Sequence, residues 1–116
     1  MNKAEFTRAF VDKVTYDVVG AAITVQRQMG RGLMESVYHE CMKVELGKRN
    51  LKYISELKIP AFYDEKLLSV KFRCDLFVEN CLVVELKSVS YVIAEHKAKL
   101  LNYMRLPEAP KGILIN

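Results

Sequence analysis

Val70-Lys71-Phe72-Arg73-Cys74-Asp75-Leu76-Phe77-Val78 and Leu82-Val83-Val84-Glu85-Leu86-Lys87 decide how this chain folds. Both runs are rich in β-branched and aromatic residues and carry no helical period, which predicts two strands. Among the charged residues in them, Asp75, Glu85 and Lys87 stand next to the most apolar stretches. Burying such groups is costly unless they pair with one another or hold a metal. In an antiparallel hairpin, directly opposed residues point to the same face. The connection Glu79-Asn80-Cys81 sets Asp75 opposite Glu85. Asn80 suits such a loop because Asn tolerates positive φ. Lys87 then projects from the same face, while Cys74, Leu76, Val84 and Leu86 take the other. A shorter turn through Glu79-Asn80 alone would set Asp75 against Val84 and Glu85 against Cys74. The first register is preferred because it gathers the charge.

Before these strands the period is helical. Phe6, Phe10, Val14, Val18, Ala21, Ala22, Val25 and Met29 predict a helix over residues 5–29, with a break near Thr15 that would cap a second segment. Gly30-Arg31-Gly32 ends it. A second helix is expected from about Leu33 to Arg49, closed by Asn50, with Leu33, Val37, Cys41 and Val44 as its buried stripe. Tyr53–Ile59 reads as a strand, and Pro60 suggests an edge. Tyr63-Asp64-Glu65-Lys66 reads as a turn. Beyond Lys87, residues from about Ser90 to Leu106 return to helical period, with Val92, His96, Leu100 and Tyr103 along one side. Pro107 and Pro110 stop that helix, and Gly112–Ile115 forms a short last strand. The order ααβββαβ predicts an α/β domain, a mixed β-sheet flanked by helices.

A chain of 116 residues suits one domain, residues 1–116. With 51% hydrophobic residues it should fold. The lack of a long apolar run argues against a membrane span, and Met1–Glu5 opens onto an amphipathic pattern rather than a signal peptide. Cys41, Cys74 and Cys81 read as buried thiols in a reducing compartment, hence a cytoplasmic location. A net charge of +4 mildly favours an anionic partner. No repeat, low-complexity stretch or linker is visible.

An Asp near the end of one core strand followed by Glu-x-Lys in the next resembles the PD-(D/E)xK nuclease superfamily. Gly32-Leu33-Met34-Glu35-Ser36-Val37-Tyr38 reads as GxxExxY and is similar to the small GxxExxY family within it. Phe72–Leu76, Val84–Val89, Leu100-Leu101-Asn102-Tyr103 and Gly112–Asn116 fit in the same order, so the likeness runs from about residue 15 to the end. The resemblance implies a restriction-endonuclease-like core and a metal-dependent phosphodiester cleavage site. It implies Mg²⁺ or Mn²⁺ held by Asp75, Glu85, the Leu86 carbonyl and Glu35, with Lys87 as the catalytic amine. Hard oxygen donors suit Mg²⁺, which also keeps water and substrate phosphate. Read without the likeness, the same Asp, Glu and Lys could form a buried ion-pair network. Glu35 alone could be an acidic residue favoured at a helix N-terminus.

His96, Lys99 and Tyr103 share one helix face. The superfamily commonly shows QxxxY here, and Lys99 stands where the Gln would be. A Lys can contact a phosphate as a point charge. Arg73, Lys71, Lys97, Lys99 and Arg105 are candidates for nucleic-acid backbone contacts, and Arg73, His96, Lys99 and Tyr103 for substrate binding. No aromatic-interleaved basic stripe or recognition helix is visible along the chain.

The resemblance therefore implies a divalent-metal-dependent nuclease acting on DNA or RNA, with a homodimer as one way for so short a core to grip a duplex. Two rivals remain. One is a catalytically degenerate module of the same fold that binds nucleic acid or a protein partner. The other is a hydrolase of a small phosphorylated compound.

Overall fold

Thr7 starts the first helix: its hydroxyl accepts the Phe10 N–H at 3.1 Å, and α1 (Arg8–Met29) runs on unbroken. The computed structural model describes residues 6–89, 92–105 and 109–116, so Glu5, Ser90, Leu106 and Pro107, named above as element bounds, lie outside the described residues. The break expected near Thr15 does not occur. Its hydroxyl donates to the Val11 carbonyl one turn back, at 2.8 Å, and the helix absorbs it. Gly30 (φ 79°) and Gly32 (φ 80°) take the positive φ that ends α1 and turns the chain.

The second helix, α2 (Glu35–Lys48), begins two residues later than expected and turns a different face inward. Met42 and Leu46 are its buried residues, with Tyr38 and Cys41 packed against the same core. Val37 is 39% exposed and Val44 62% exposed, which corrects the stripe read from the sequence. Apolar residues occur on two sides of this helix. The side carrying Tyr38, Met42 and Leu46 removes more area from water. Asn50 (φ 57°) closes the segment as expected.

The sheet has the order β1 (Tyr53–Tyr63), β2 (Lys66–Val78), β3 (Leu82–Leu86), β4 (Lys111–Ile115), with α3 (Ala94–Arg105) crossing between the last two. β1–β2 and β2–β3 are antiparallel and β3–β4 parallel, which gives the mixed sheet and the ααβββαβ order. β1 is an edge strand, so Pro60 sits where a missing N–H is tolerated. Asp64 and Glu65 (φ 52° and 62°) make the tight turn before β2. Glu79 and Asn80 (φ 50° and 56°) make the next, with the Cys81 N–H donating to the Val78 carbonyl at 3.0 Å. Val78 pairs with Leu82, Phe77 with Val83 and Leu76 with Val84, which is the preferred register.

Two apolar layers follow. Leu76, Val78, Leu82, Val84 and Leu86 pack under α1 and α2. Phe77 and Val83 pack on the other side, with Tyr103 of α3 and Ala109. Cys74 was expected beside Leu76 but belongs to this second layer. Its partner Leu57 moves with it, although Tyr53, of the same parity, packs under the helices. The cause is Glu56. It takes a left-handed φ of 55° and drops out of the pairing between Ser55↔Leu76 and Leu57↔Cys74. A local distortion of this kind re-aims every side chain beyond it. It lies directly across from Asp75.

Candidate active site

β2 and β3 pair through their backbones only as far as Leu76↔Val84. Beyond that point two carboxylates take over. The Leu86 N–H donates to Asp75 Oδ2 at 2.9 Å, and the Asp75 N–H donates to Glu85 Oε1 at 3.4 Å. Each acid therefore satisfies a backbone donor next to the other, which brings Asp75 and Glu85 together as the hairpin register required. Glu85 is 1% exposed. Burial pushes its carboxyl above the ordinary range and the nearby Asp75 adds to this, while Lys99 pulls the other way.

The ammonium beside this pair comes from α3. Lys99 Nζ lies 3.4 Å from Glu85 Oε2 and 5.2 Å from the centre of the Tyr103 ring. Partial burial works against the Lys99 charge, but Glu85, Tyr103 and Asp75 together outweigh it and lift the amine. Tyr103 is buried and meets Phe72 edge-on at 5.8 Å between ring centres, which fixes the platform under Lys99. Lys87 departs from the reading that set it on one face with Asp75 and Glu85, and it neither lines the Asp75 cleft nor shares in the contact with Lys99. Its N–H continues the sheet by donating to the Ile115 carbonyl at 2.8 Å, and the residue lines a cleft of about 540 Å³ with Gln26, Arg31, Tyr38 and Ser88.

Asp75 opens into a second cleft of about 340 Å³, which it shares with Glu35, Ser36, His39, Glu56, Arg73 and Leu86. Glu35 is the first residue of α2, and its Oε1 accepts the Ser88 N–H at 3.3 Å. The Ser88 hydroxyl in turn donates to the Leu33 carbonyl. These bonds tie the start of α2 to the chain just past β3 and hold Glu35 near the strand ends. Arg73 contacts Glu56 at 3.4 Å on the cleft wall. His39 bonds Ser55 at 2.9 Å.

His96 serves its own helix instead. Its Nδ1 accepts the Ile93 N–H at 3.2 Å, in the manner of an N-terminal cap. Ser36, His39 and Glu56 carry no separate sequence signal, because their arrival depends on how α2 meets the distorted stretch of β1. Ser88 could have been found, since it directly follows Glu85-Leu86-Lys87.

Asp75, Glu35 and Leu86 line one space and carry hard oxygens, the donor class that Mg²⁺ and Mn²⁺ prefer, while Glu85, expected as a further ligand, is buried and does not line it. Among the described residues, no three Asp, Glu, His or Cys side chains form a ready-made cation cage. The donor set fits an ion that keeps several waters and takes oxygens from a phosphate. It does not fit one that needs a closed protein cage. No helix among the described residues is long and apolar enough to cross a membrane.

Residues 12–116 match the family model described as the PD-(D/E)XK nuclease superfamily. The mixed sheet and element order agree with that superfamily's restriction-endonuclease-like core. No curated protein and no solved structure matches the chain.

Proposed function

Because the chain belongs to the PD-(D/E)XK nuclease superfamily, we propose that it is a Mg²⁺- or Mn²⁺-dependent nuclease that hydrolyses phosphodiester bonds of DNA or RNA. The observation that carries this reading is the reciprocal arrangement of Asp75 and Glu85, with Lys99 against Glu85 and Glu35 across the cleft. Gly32, Glu35 and Tyr38 support placing it in the GxxExxY branch. Three free thiols fit a reducing, cytoplasmic setting.

Asp75, Glu35 and the Leu86 carbonyl would hold the ion, with Glu85 behind them. A bound divalent cation would lower the pKa of a water and neutralise charge developing on phosphate oxygens. Glu85 holds the Asp75 backbone in place, and the Leu86 N–H fixes the Asp75 carboxylate, so the ligand is oriented before substrate arrives. Lys99 supplies positive charge beside Glu85 and offsets part of the cost of burying this acid. It stands in for the amide usual at this helix position, and it does so as a counter-charge. Lys87 and Arg31, in the adjoining cleft, can hold flanking phosphates. A second copy of the chain would widen the grip on a duplex.

The test is cleavage of labelled DNA and RNA with Mg²⁺, Mn²⁺ or chelator, by wild type and Asp75→Asn. Asn keeps an oxygen for the Leu86 N–H, so the fold should survive. Cation binding by calorimetry should be lost and cleavage should drop about 100-fold or more. Full activity in Asp75→Asn, or in chelator, would refute the proposal. Hydrolysis of small phosphate esters with no action on polymers would favour the small-molecule hydrolase.

A further inference from the structure

We infer that the outer half of the β1–β2 hairpin is an arm that holds single-stranded nucleic acid and leads it into the Asp75 cleft, an inference that rests on the nuclease reading above. Ile59 and Ala61 are buried, so Lys58, Pro60 and Phe62 must occupy the opposite face of β1. Across the hairpin, Lys58 pairs with Arg73, Pro60 with Lys71 and Phe62 with Leu67. All six are exposed. The side-chain ladder therefore reads, from the cleft outward, Arg73 and Lys58, then Lys71, then Phe62 with Leu67.

No such stripe can be read along the chain, because its members alternate with inward-facing residues and come from two strands. Two steps of β1, Pro60 to Phe62, are matched by four of β2, Lys71 to Leu67, so extra β2 residues bulge and curve the arm. The inner end is anchored at the site: Arg73 lines the same cleft as Asp75. Lys58 to Phe62 spans about 13 Å at roughly 3.3 Å per residue.

Charge selects the occupant. Three cations face one acid on this surface, Glu56, which is in contact with Arg73. Asp64 and Glu65 lie only at the turn and would turn a polyanion away beyond the tip. A phosphate backbone can lie along Arg73, Lys58 and Lys71 while an unpaired base stacks on Phe62, a residue 62% exposed. Cations that track a backbone serve either form, but an open aromatic face beside them offers stacking to an unpaired base that a closed duplex does not use.

The experiment is fluorescence anisotropy with the full chain and a labelled single strand of about 20 nucleotides, in chelator so that nothing is cut, over a salt series. Lys58→Ala with Lys71→Ala should weaken binding about tenfold and reduce the log–log salt slope by about 1.4, roughly 0.7 per lost phosphate contact. Phe62→Ala should weaken single-strand binding about tenfold and leave duplex binding unchanged. Lys13→Ala, on α1, should change neither. The Gln double variant at Lys58 and Lys71 should repeat the Ala result, which guards against a folding artefact. If wild type binds and the double variants bind equally well, the arm proposal is overturned and the nuclease reading stands. If Phe62→Ala weakens duplex binding as much, the single-strand assignment is overturned. If wild type binds no nucleic acid at all, the underlying nuclease reading falls with it.

Discussion

The ammonium of Lys99 lies 3.4 Å from the Glu85 carboxylate, although the two residues belong to different elements and Lys87 is only two positions away in sequence. The crossover through α3 decides which cation meets the buried acid, and the strand does not. The two lysines should therefore fail differently.

Lys99→Met removes the counter-charge, so Glu85 rises further from the ordinary carboxylate range. The acid limb of the pH–rate profile should move to higher pH, and the rate at neutral pH should fall at least about tenfold. Lys87→Met should lower the rate without moving that limb. Single-turnover cleavage over a pH series distinguishes them. An unmoved acid limb in Lys99→Met would show that Glu85 does not depend on Lys99.

Glu85→Gln should stabilise the fold at neutral pH. The native carboxyl is raised by burial above its ordinary 4.5, so the native state holds its proton more tightly than the unfolded chain. That contribution is fully present below the ordinary value and is lost as pH rises through the native one. Gln keeps an oxygen for the Asp75 N–H and carries no charge. The expected gain is about 1 kcal/mol at pH 7, a few degrees of Tm, vanishing in acid. Thermal melts at several pH values check it, with cleavage lost in the same variant.

Leu46→Ala should cost about 2–5 kcal/mol, because its side chain is wholly buried between helices and sheet. Val44→Ala, on the outward side of the same helix, should cost less than about 0.5 kcal/mol. Urea unfolding of both variants tests which face of α2 is inward.

Cys74, pushed up to about 12 by burial and by Glu85 and Asp75, and Cys81, pushed up to about 11 by burial and Glu79, should resist alkylation in the native protein. Cys41, only half-buried, should react first with iodoacetamide. Peptide mapping before and after unfolding reads this out.

The hairpin register was legible in the sequence because alternation and the Asn80 turn both specify it, and a slip would turn buried residues outward. The element order was legible for the same reason: each segment had one clear period. The inward face of α2 was not, because two apolar sides compete and only the sheet beneath chooses between them. The displacement of Cys74 and Leu57 was equally hidden. It follows from a left-handed glutamate at position 56, a conformation that Glu has no intrinsic reason to prefer. At the site, the meeting of Asp75 and Glu85 could be read from local pairing. The partnership of Lys99 with Glu85 could not, since it depends on where a whole helix lands after leaving the sheet.

Glu56 and Pro60 also bear on how the protein behaves in a crowded solution. Both lie on the outermost strand, one twisting it out of regular pairing and the other lacking an N–H, with Lys58 between them. A stranger's strand cannot zip along that rim for more than a few residues before the bonds fail. The same distortion that lies across from Asp75 thus guards this edge of the sheet against growing into a fibre, and a variant that straightened the rim would be expected to precipitate.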